Sequence, residues 1–483
     1  MNKGNFLLFF CGGALSAFIL ASLFSTSILL PVFIFILFLS VTFFFAPQKV
    51  KKYALGFLVF SFAFILAITR YFEYLPTKEK LAIPQPKFFE TVFVCENSER
   101  NGAFRNLVLC NNNGRYIAKT AAYPEYRYGD CLLAKGTLEL PGMIEDFRYD
   151  RYLAKQEIYF VLRQASFQGS ESCQSIKSFG TLKTFLFSAI YSIRDYLMNR
   201  INQFLPEPDA GLAVALLLGY IKTIGLTQQA WFSRAGLSHL IAISGSHITL
   251  IAALLSRLAF SLRLKRKSAL IFSSSFAIFY VLFSGAAPSA IRAGVMAFLT
   301  FLALFFGREN SSWRALLFSA TAILFFNPSL LRDDIGFQLS FAAFGGLLLS
   351  APLFQKHLSW WKEVFLVTLI CQLFTWPISS YYFSVVSLVA PFANLLSAWI
   401  FAPLFIILPI AMIFSYLGNF IGLLFFWPAY LLTKYLLTVA RICASLPYAT
   451  LDYKINLGII FTYYSFLIGA FALVNYRQAL KNK

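Results

Sequence analysis

Two of the three histidines in this chain of 483 residues lie within one short stretch at the start of an apolar run. The stretch, residues 236–247, has the sequence GLSHLIAISGSH and contains His239, Ser244 and His247. On one helix, Ser244 and His247 would lie three residues apart and could act as a nucleophile and its base. The same polar groups could line an aqueous pathway, because ionisable side chains inside a membrane usually face a cavity. They could also simply join helices, since Ser, Gly and His hydrogen-bond between membrane helices.

The hydrolase interpretation lacks two features. No G-x-S-x-G turn surrounds Ser244 or Ser246, and no aspartate stands out as the third member of a triad. We therefore expect that the chain is not an enzyme, and we assign no catalytic residue, cofactor or metal ligand. An intramembrane serine hydrolase is kept as an alternative, as is a transporter of small molecules or lipids with broken helices at its midplane.

The elements that position these groups are expected to be membrane helices. Apolar residues make up 59% of the chain and charged residues only 13%, about half the charged share of soluble proteins. Apolar runs of about 20 residues recur, which predicts a polytopic α-helical membrane protein. The predicted spans are residues 5–22, 28–45, 54–70, 268–284, 290–306, 313–326, 336–354, 364–381, 390–415, 417–439 and 456–475, with a further span beginning at residue 238.

The formal net charge of +20 is explained first by basic loops on the cytoplasmic side of the membrane. A nucleic-acid partner is a second explanation, which charge alone does not separate from the first. The basic clusters at residues 49–52 and 263–267 predict cytoplasmic loops. The chain after residue 72 is then outside the cytoplasm, and the basic tail at 477–483 is inside.

Residues 78–176 show a different pattern, with short alternating segments and turns in place of long apolar runs. Five strands and one short helix are expected there, with a hairpin turn at residues 111–114. This combination favours a small β-barrel of the OB type, although the helix comes late for that fold. The expected divisions are 1–72 with about three N-terminal helices, 78–176 with the extracytoplasmic OB-like domain, 177–237 with amphipathic and broken helices, 238–476 with the transmembrane core, and 477–483 with the basic tail.

Four of the seven cysteines lie in this β domain, which favours disulfides in an oxidising compartment. Four cysteines allow three connectivities. We favour Cys95–Cys110, across a hairpin, and Cys131–Cys173, which would tie the fourth strand to the end of the domain. Four buried free thiols are the alternative.

The basic and acidic residues of the β domain nearly balance, so it has no bulk basic patch for phosphates. A local cluster of Tyr and Arg could still form a surface on which bases stack. Tyrosines of a small barrel also commonly belong to its core or rim. The candidates for DNA binding are Arg115, Tyr116, Tyr126, Arg127 and Tyr128.

Three further polar segments interrupt the apolar half of the chain. Arg292 lies just inside a predicted helix, where it is costly unless it is paired, hydrated or able to reach the interface. Asp334 could be a simple helix cap, and Pro377 could mark a simple kink. The polar groups of these segments are Ser289, Arg292, Asp334, Gln338, Ser340 and Asn394.

These segments together resemble the ComEC family, the membrane channel proteins of natural competence. GLSHLIAISGSH is similar to the family motif GlaHLlaiSGlH, and SGAAPSAIRA at 284–293 to G-x-x-x-S-x-x-R-A. NPSLLRDDIGFQLSF at 327–341 resembles NP…D-x-GFQLSF, with one extra residue before Asp334. Residues 377–396 resemble a late P…F…aNll pattern, and RYDRYL at 148–153 the end of the family's OB domain. The resemblance covers roughly residues 75–420.

The resemblance implies a channel that passes one strand of incoming DNA across the cytoplasmic membrane, with the OB-like domain receiving DNA outside. It implies non-specific binding of single-stranded DNA and contact with membrane lipid. A DNA receptor, a separate nuclease, a cytoplasmic translocation motor and further copies of this chain are the other partners it suggests. The pathway positions carried over are His239, Ser244, Gly245, His247, Ser289, Arg292, Asp334, Gln338, Ser340 and Asn394.

The sequence departs from the family pattern in three ways. Many members add a C-terminal metallo-β-lactamase-like domain, whereas this chain has no H-x-H-x-D-H motif, so we expect a short form without a metal-dependent nuclease. Ser246 stands where the family more often has Leu. Tyr220 stands where an acidic residue often follows Gly219.

Overall fold

The computed structural model describes a β domain and a helical half that differ as the composition predicts. The described residues are 3–23, 59–71, 87–96, 99–101, 104–121, 123–124, 126–142, 149–154, 156–169, 181–242, 245–285, 288–305, 312–354 and 358–481. The predicted span at 28–45 lies outside these residues.

The β domain has six strands and one short helix, where five strands and one helix were predicted. Its elements are β1 (Lys87–Val94), β2 (Glu99–Asn101), β3 (Phe104–Cys110), β4 (Arg115–Ala121), β5 (Cys131–Glu139), α3 (Tyr149–Ala154) and β6 (Ile158–Gly169). The sequence pattern missed β2 because it has only three residues and pairs solely as a hairpin extension of β3.

The strands form one sheet in the order β1-β5-β6-β4-β3-β2, and β3 also pairs with β1. All these pairs are antiparallel except β4 with β6. The predicted turn at residues 111–114 joins β3 to β4, and the Asn111 side chain accepts the backbone N–H groups of Asn113 and Gly114 at 2.8 and 3.0 Å. Alternate residues of β5 are buried, including Leu132, Ala134 and Leu138, as the alternating pattern predicts.

A disulfide joins Cys95 to Cys110, with Cα atoms 5.8 Å apart, which confirms the first predicted pair. It lies where β1 and β3 pair, next to Phe93 and Val108. Cys131 is also disulfide-bonded, and its predicted partner Cys173 lies outside the described residues.

Removing the disulfide should destabilise the β domain. The Cys95–Cys110 bond closes a loop with a sequence separation of 15, so chain entropy predicts a loss of about 3 kcal/mol for Cys95→Ser with Cys110→Ser. Pulse proteolysis of the full chain in detergent, with cleavage followed in the β domain, measures this loss. Cys371→Ser, which removes a free thiol of the helical half, is the control and should leave the cleavage unchanged. Equal resistance of the two variants would contradict the prediction.

The rest of the described chain is helical apart from one two-stranded ribbon. The helices are α1 (Lys3–Leu23), α2 (Val59–Tyr71), α4 (Thr181–Phe204), α5 (Asp209–Leu218), α6 (Leu226–Arg234), α7 (Ser238–Ile241), α8 (Gly245–Ser261), α9 (Arg266–Phe283), α10 (Pro288–Phe305), α11 (Ser312–Phe326), α12 (Leu330–Asp333), α13 (Ile335–Leu349), α14 (Trp360–Phe383), α15 (Ala390–Ser415), α16 (Asn419–Ser445) and α17 (Leu457–Lys481). Short 3₁₀ turns cover Ile221–Thr223 and Ala351–Phe354, and the ribbon strands are β7 (Val385–Ser387) and β8 (Thr450–Asp452).

Four of these helices, α9, α14, α15 and α16, are long and apolar enough to cross a membrane. Between 22% and 39% of their apolar windows is buried, so most of their surface is left to face lipid. Each agrees with a predicted span to within a few residues, because a run of about 20 apolar residues is a strong signal of a spanning helix. The protein is therefore a multi-pass α-helical membrane protein.

The helix α5 is the centre of the largest apolar cluster. It buries every residue except Leu217, and α4, α15 and α16 contribute to the same cluster. A helix that is apolar all round belongs inside a protein rather than at its surface. It ends at Gly219, whose φ of 72° is in the left-handed region, and the 3₁₀ turn follows. This broken stretch, within residues 177–237 where broken helices were expected, is thus packed inside the helical half.

Candidate functional site

The motif at residues 236–247 forms a break between helices rather than one helix. The helix α6 ends at Arg234, the four-residue α7 follows, and Ala242 has extended backbone before α8 begins at Gly245. Ser244 lies outside the described residues, so its predicted pairing with His247 stays a prediction. Gly245 is exposed at the start of α8.

Gly236 fixes this break against the segment that begins α15. Its φ of +71° is in the left-handed region, and a Cβ atom there would lie 2.4 Å from the Cβ of Ala390. Beside it, the Ser387 hydroxyl donates to the carbonyl of Arg234 at 2.8 Å. The motif and the start of α15, distant in sequence, are thereby held together.

Gly236→Ala should therefore destabilise the protein by roughly 2 kcal/mol or more, from left-handed strain of about 1–2 kcal/mol plus overpacking. Thermal unfolding of the purified protein in detergent measures the loss. Gly245→Ala is the control, because a Cβ at Gly245 meets nothing within 4 Å. Adding Ala390→Gly to Gly236→Ala should restore only the part of the stability that overpacking removes. Equal stability of the two single variants would show that the close approach is unimportant.

His239 lies on the short helix α7. Its side chain is exposed, whereas the neighbouring Leu240 and Ile241 are buried. It hydrogen-bonds the backbone of Gly236 and the side chain of Asn394. Asn394 is only 8% exposed, and its amide donates to the carbonyl of Ala390 at 2.9 Å. The structure thus joins two predicted pathway residues, of which His239 is exposed and Asn394 is buried.

His247 has a different environment, although it belongs to the same motif. It is completely buried, and its ring packs edge-on against Phe401 and Phe405 of α15, with centroids 5.0 and 4.9 Å apart. Such contacts are typical of a packed aromatic core. The structure thus places His247 in the helix packing and leaves His239 exposed.

A second group of predicted residues forms a buried ion pair. The Nη1 atom of Arg292 donates to Oδ2 of Asp334 at 3.2 Å, and its Nη2 atom donates to the hydroxyl of Ser340 at 3.0 Å. Arg292 is 6% exposed and Asp334 5%, whereas Ser340 is exposed. The other carboxylate oxygen of Asp334 accepts the backbone N–H of Gly336 at 3.1 Å and caps α13. Pairing therefore offsets part of the cost of burying Arg292, whose Nε atom has no hydrogen-bond partner within the described residues, and the predicted cap is present as well.

Gln338 and Ser289 lie near this pair in sequence but have other surroundings. The amide of Gln338 donates to the carbonyl of Leu331 at 2.9 Å and to the hydroxyl of Tyr382 at 3.1 Å. It thereby joins α12 to α14. Ser289 is half-buried in the first turn of α10.

In the β domain, the first two DNA-binding candidates have structural partners. Arg115 pairs with Glu96 and donates to the carbonyl of Gln156 at 2.9 Å. Tyr116 is 4% exposed and packs in the core against Phe88, with centroids 5.0 Å apart, and burial raises the pKa of its hydroxyl. A buried ring offers no face to a base, so the predicted stacking surface does not include Tyr116.

The other three DNA-binding candidates lie on the loop between β4 and β5. Arg127 is exposed. Tyr126 is half-buried against Phe167 of β6, with centroids 5.6 Å apart. Tyr128 is half-buried and reaches Tyr191 of α4, with centroids 5.2 Å apart. Tyr128 thus lies where the β domain meets the helical half.

Arg194, which is not among the predicted site residues, is 3% exposed between two tyrosines. The amphipathic helices expected within residues 177–237 would normally place an arginine at a surface. Among the described residues, no group of three or more His, Cys, Asp or Glu side chains could hold a metal ion.

These features define a class: a multi-pass helical membrane protein with costly polar groups gathered inside its helical half. The sequence model of the competence family, described as "Competence protein", matches residues 216–477. That is more than half of the chain, and the chain belongs to this family. The match includes residues 236–247 and the Arg292–Asp334 pair, so the resemblance to the ComEC family is confirmed.

Two relatives match part of the chain. It is 31% identical over 307 residues to ComE operon protein 3 of Bacillus subtilis (strain 168), covering 60% of this chain and 37% of the relative. It is 30% identical over 156 residues to an uncharacterized protein of Aquifex aeolicus (strain VF5), covering 32% and 36%. The chain thus spans little more than a third of the length of these relatives. No solved structure matches it.

Proposed function

We propose that this protein is a membrane channel that imports single-stranded DNA across the cytoplasmic membrane during natural transformation. The observation that carries the proposal is His239, which is exposed on the short helix α7 between α6 and α8 and hydrogen-bonded to the buried Asn394. A polar side chain inside a membrane usually faces a wet pathway. Membership of the competence family supports DNA as the cargo. In this proposal, the chain carries out no catalytic step.

The β domain would receive the DNA on the outer side of the membrane. The pairings run from β1 through β5, β6, β4 and β3 back to β1, which supports a small closed barrel of the OB type. Its disulfide supports an oxidising compartment. The basic residues at 263–267 support a cytoplasmic loop between α8 and α9. A DNA receptor, a nuclease and a cytoplasmic motor would be separate proteins.

Deleting the gene in its host tests this function. Fluorescent DNA should no longer reach the cytoplasm, while DNA bound at the cell surface should stay unchanged, because the channel acts after capture. A plasmid copy should restore import. Import that is the same with and without the gene, including none in either strain, would contradict the proposal.

A further inference from the structure

Arg194 is a buried cation with incomplete pairing. It is 3% exposed, and its guanidinium lies 4.7 Å from the ring centroid of Tyr191 and 4.4 Å from that of Tyr220. Its carboxylate neighbour is Asp195, with Nε and Oδ1 4.0 Å apart, which is too far for a hydrogen bond. In the part of the chain that the structure describes, Nε and Nη2 are buried without a hydrogen-bond partner. A guanidinium in this state suits a ligand that supplies acceptor oxygens.

The position of Arg194 joins three parts of the protein. It belongs to α4, and Tyr220 lies at the break that follows α5. Nη1 lies 3.8 Å from where a Cβ atom of Gly285 would be, at the start of the segment that leads to Arg292. Tyr191 touches Tyr128 of the β domain. Arg194 therefore lies between the β domain and the helices that hold the predicted pathway.

A cluster of aromatic rings lies next to this position. Tyr128 and Tyr191 lie 5.2 Å apart, and Phe187 is 6.3 Å from Tyr128 and 6.2 Å from Tyr191. All three are half-buried rather than sealed. Aromatic rings next to a cation are the arrangement with which proteins hold single-stranded nucleic acid, because bases stack while the cation binds phosphate.

We propose that Arg194 binds a backbone phosphate of single-stranded DNA at the entrance to the passage, with bases stacked on Tyr128 and Tyr191. This inference rests on the proposed function. Two phosphate oxygens could accept from the Nε and Nη2 donors in a bidentate pair. Gly285 suits the site because it leaves the approach to the guanidinium free of a side chain.

The test is binding of a dye-labelled single-stranded oligonucleotide to the full chain in detergent, measured by fluorescence anisotropy over a series of salt concentrations. Arg194→Gln should weaken binding roughly tenfold, as expected from losing one charge-assisted contact. It should also lower the slope of log affinity against log salt by about 0.7, the value for one phosphate contact on a single strand. Arg194→Lys should keep that slope, because the charge remains.

Arg200→Gln is the matched control on the same helix. Arg200 stacks on Phe204 and hydrogen-bonds Ser415 and Gln203, so its loss should leave the salt slope unchanged. If a thermal melt shows that Arg194→Gln is not folded, Tyr128→Ala is compared with Tyr128→Phe instead. Only the alanine variant should weaken binding.

The outcomes separate the inference from the function beneath it. An oligonucleotide that binds the unaltered chain and Arg194→Gln with the same affinity and slope would overturn the inference alone. If Arg194→Gln does not fold, equal oligonucleotide affinities of Tyr128→Ala and Tyr128→Phe would overturn the inference in the same way. If Arg194→Gln loses binding to phosphatidylglycerol vesicles but binds the oligonucleotide as before, the site belongs to lipid phosphate. That result would also overturn the inference. No binding by the unaltered chain would count against the proposed function itself.

Discussion

Arg292→Gln should destabilise the protein by about 3–5 kcal/mol, because it leaves the buried carboxylate of Asp334 without its partner. The two side chains are 6% and 5% exposed, and the ion pair spans 3.2 Å. Combining Arg292→Met with Asp334→Asn should restore most of the loss, since an uncharged pair can be packed and Asn still caps α13. Thermal unfolding of the purified protein in detergent gives all these values.

Arg332→Gln is the control for that series, because Arg332 is an exposed cation two residues from Asp334. It should change stability little. Loss of DNA import in Arg292→Gln should then accompany loss of folded protein. If Arg292→Gln is as stable as the unaltered chain and still fails to import DNA, Arg292 acts on the cargo and the structural account of the pair is wrong.

His239→Ala should lower DNA import at least tenfold while the amount and stability of the protein stay unchanged. Exposed side chains contribute little to stability, whereas a lost polar contact with the cargo is felt during transport. His247→Ala should instead act on stability. It should destabilise the fold by roughly 2–4 kcal/mol, because it leaves a cavity between Phe401 and Phe405. Import of labelled DNA and thermal unfolding are measured on both variants.

The pair of variants also supplies its own control, since both remove a histidine from one motif. Two variants that are equally stable and equally defective would place both rings at the cargo. Normal import by a stable His239→Ala variant would remove His239 from the pathway.

Local patterns predicted much of this fold. Long apolar runs predicted the spanning helices, alternation predicted β5, and the spacing of Cys95 and Cys110 around a hairpin predicted their disulfide. These features depend on residues that are neighbours along the chain. The helix α4 lies within residues 177–237, where amphipathic and broken helices were expected.

The environments of the polar groups could not be predicted in the same way. The pairing of Arg292 with Asp334 and the hydrogen bond between His239 and Asn394 join residues that are distant in sequence. Whether a histidine is wet or packed depends on which helix lies against it, and His239 and His247 differ for that reason alone. Arg194 was overlooked because an arginine on an amphipathic helix is normally at a surface, and only its packing against Tyr191 and Tyr220 shows otherwise.

The central claim is that water reaches His239 from within the helical half, and thiol labelling tests it most directly. His239→Cys and His247→Cys are each placed in a chain whose free cysteines, Cys11, Cys371 and Cys443, are replaced by alanine. Membranes that contain each variant are treated with a charged, water-soluble thiol reagent. We predict that the His239→Cys variant reacts, that single-stranded DNA slows its reaction, and that the His247→Cys variant stays unlabelled. An inert thiol at position 239 in folded protein would contradict the account.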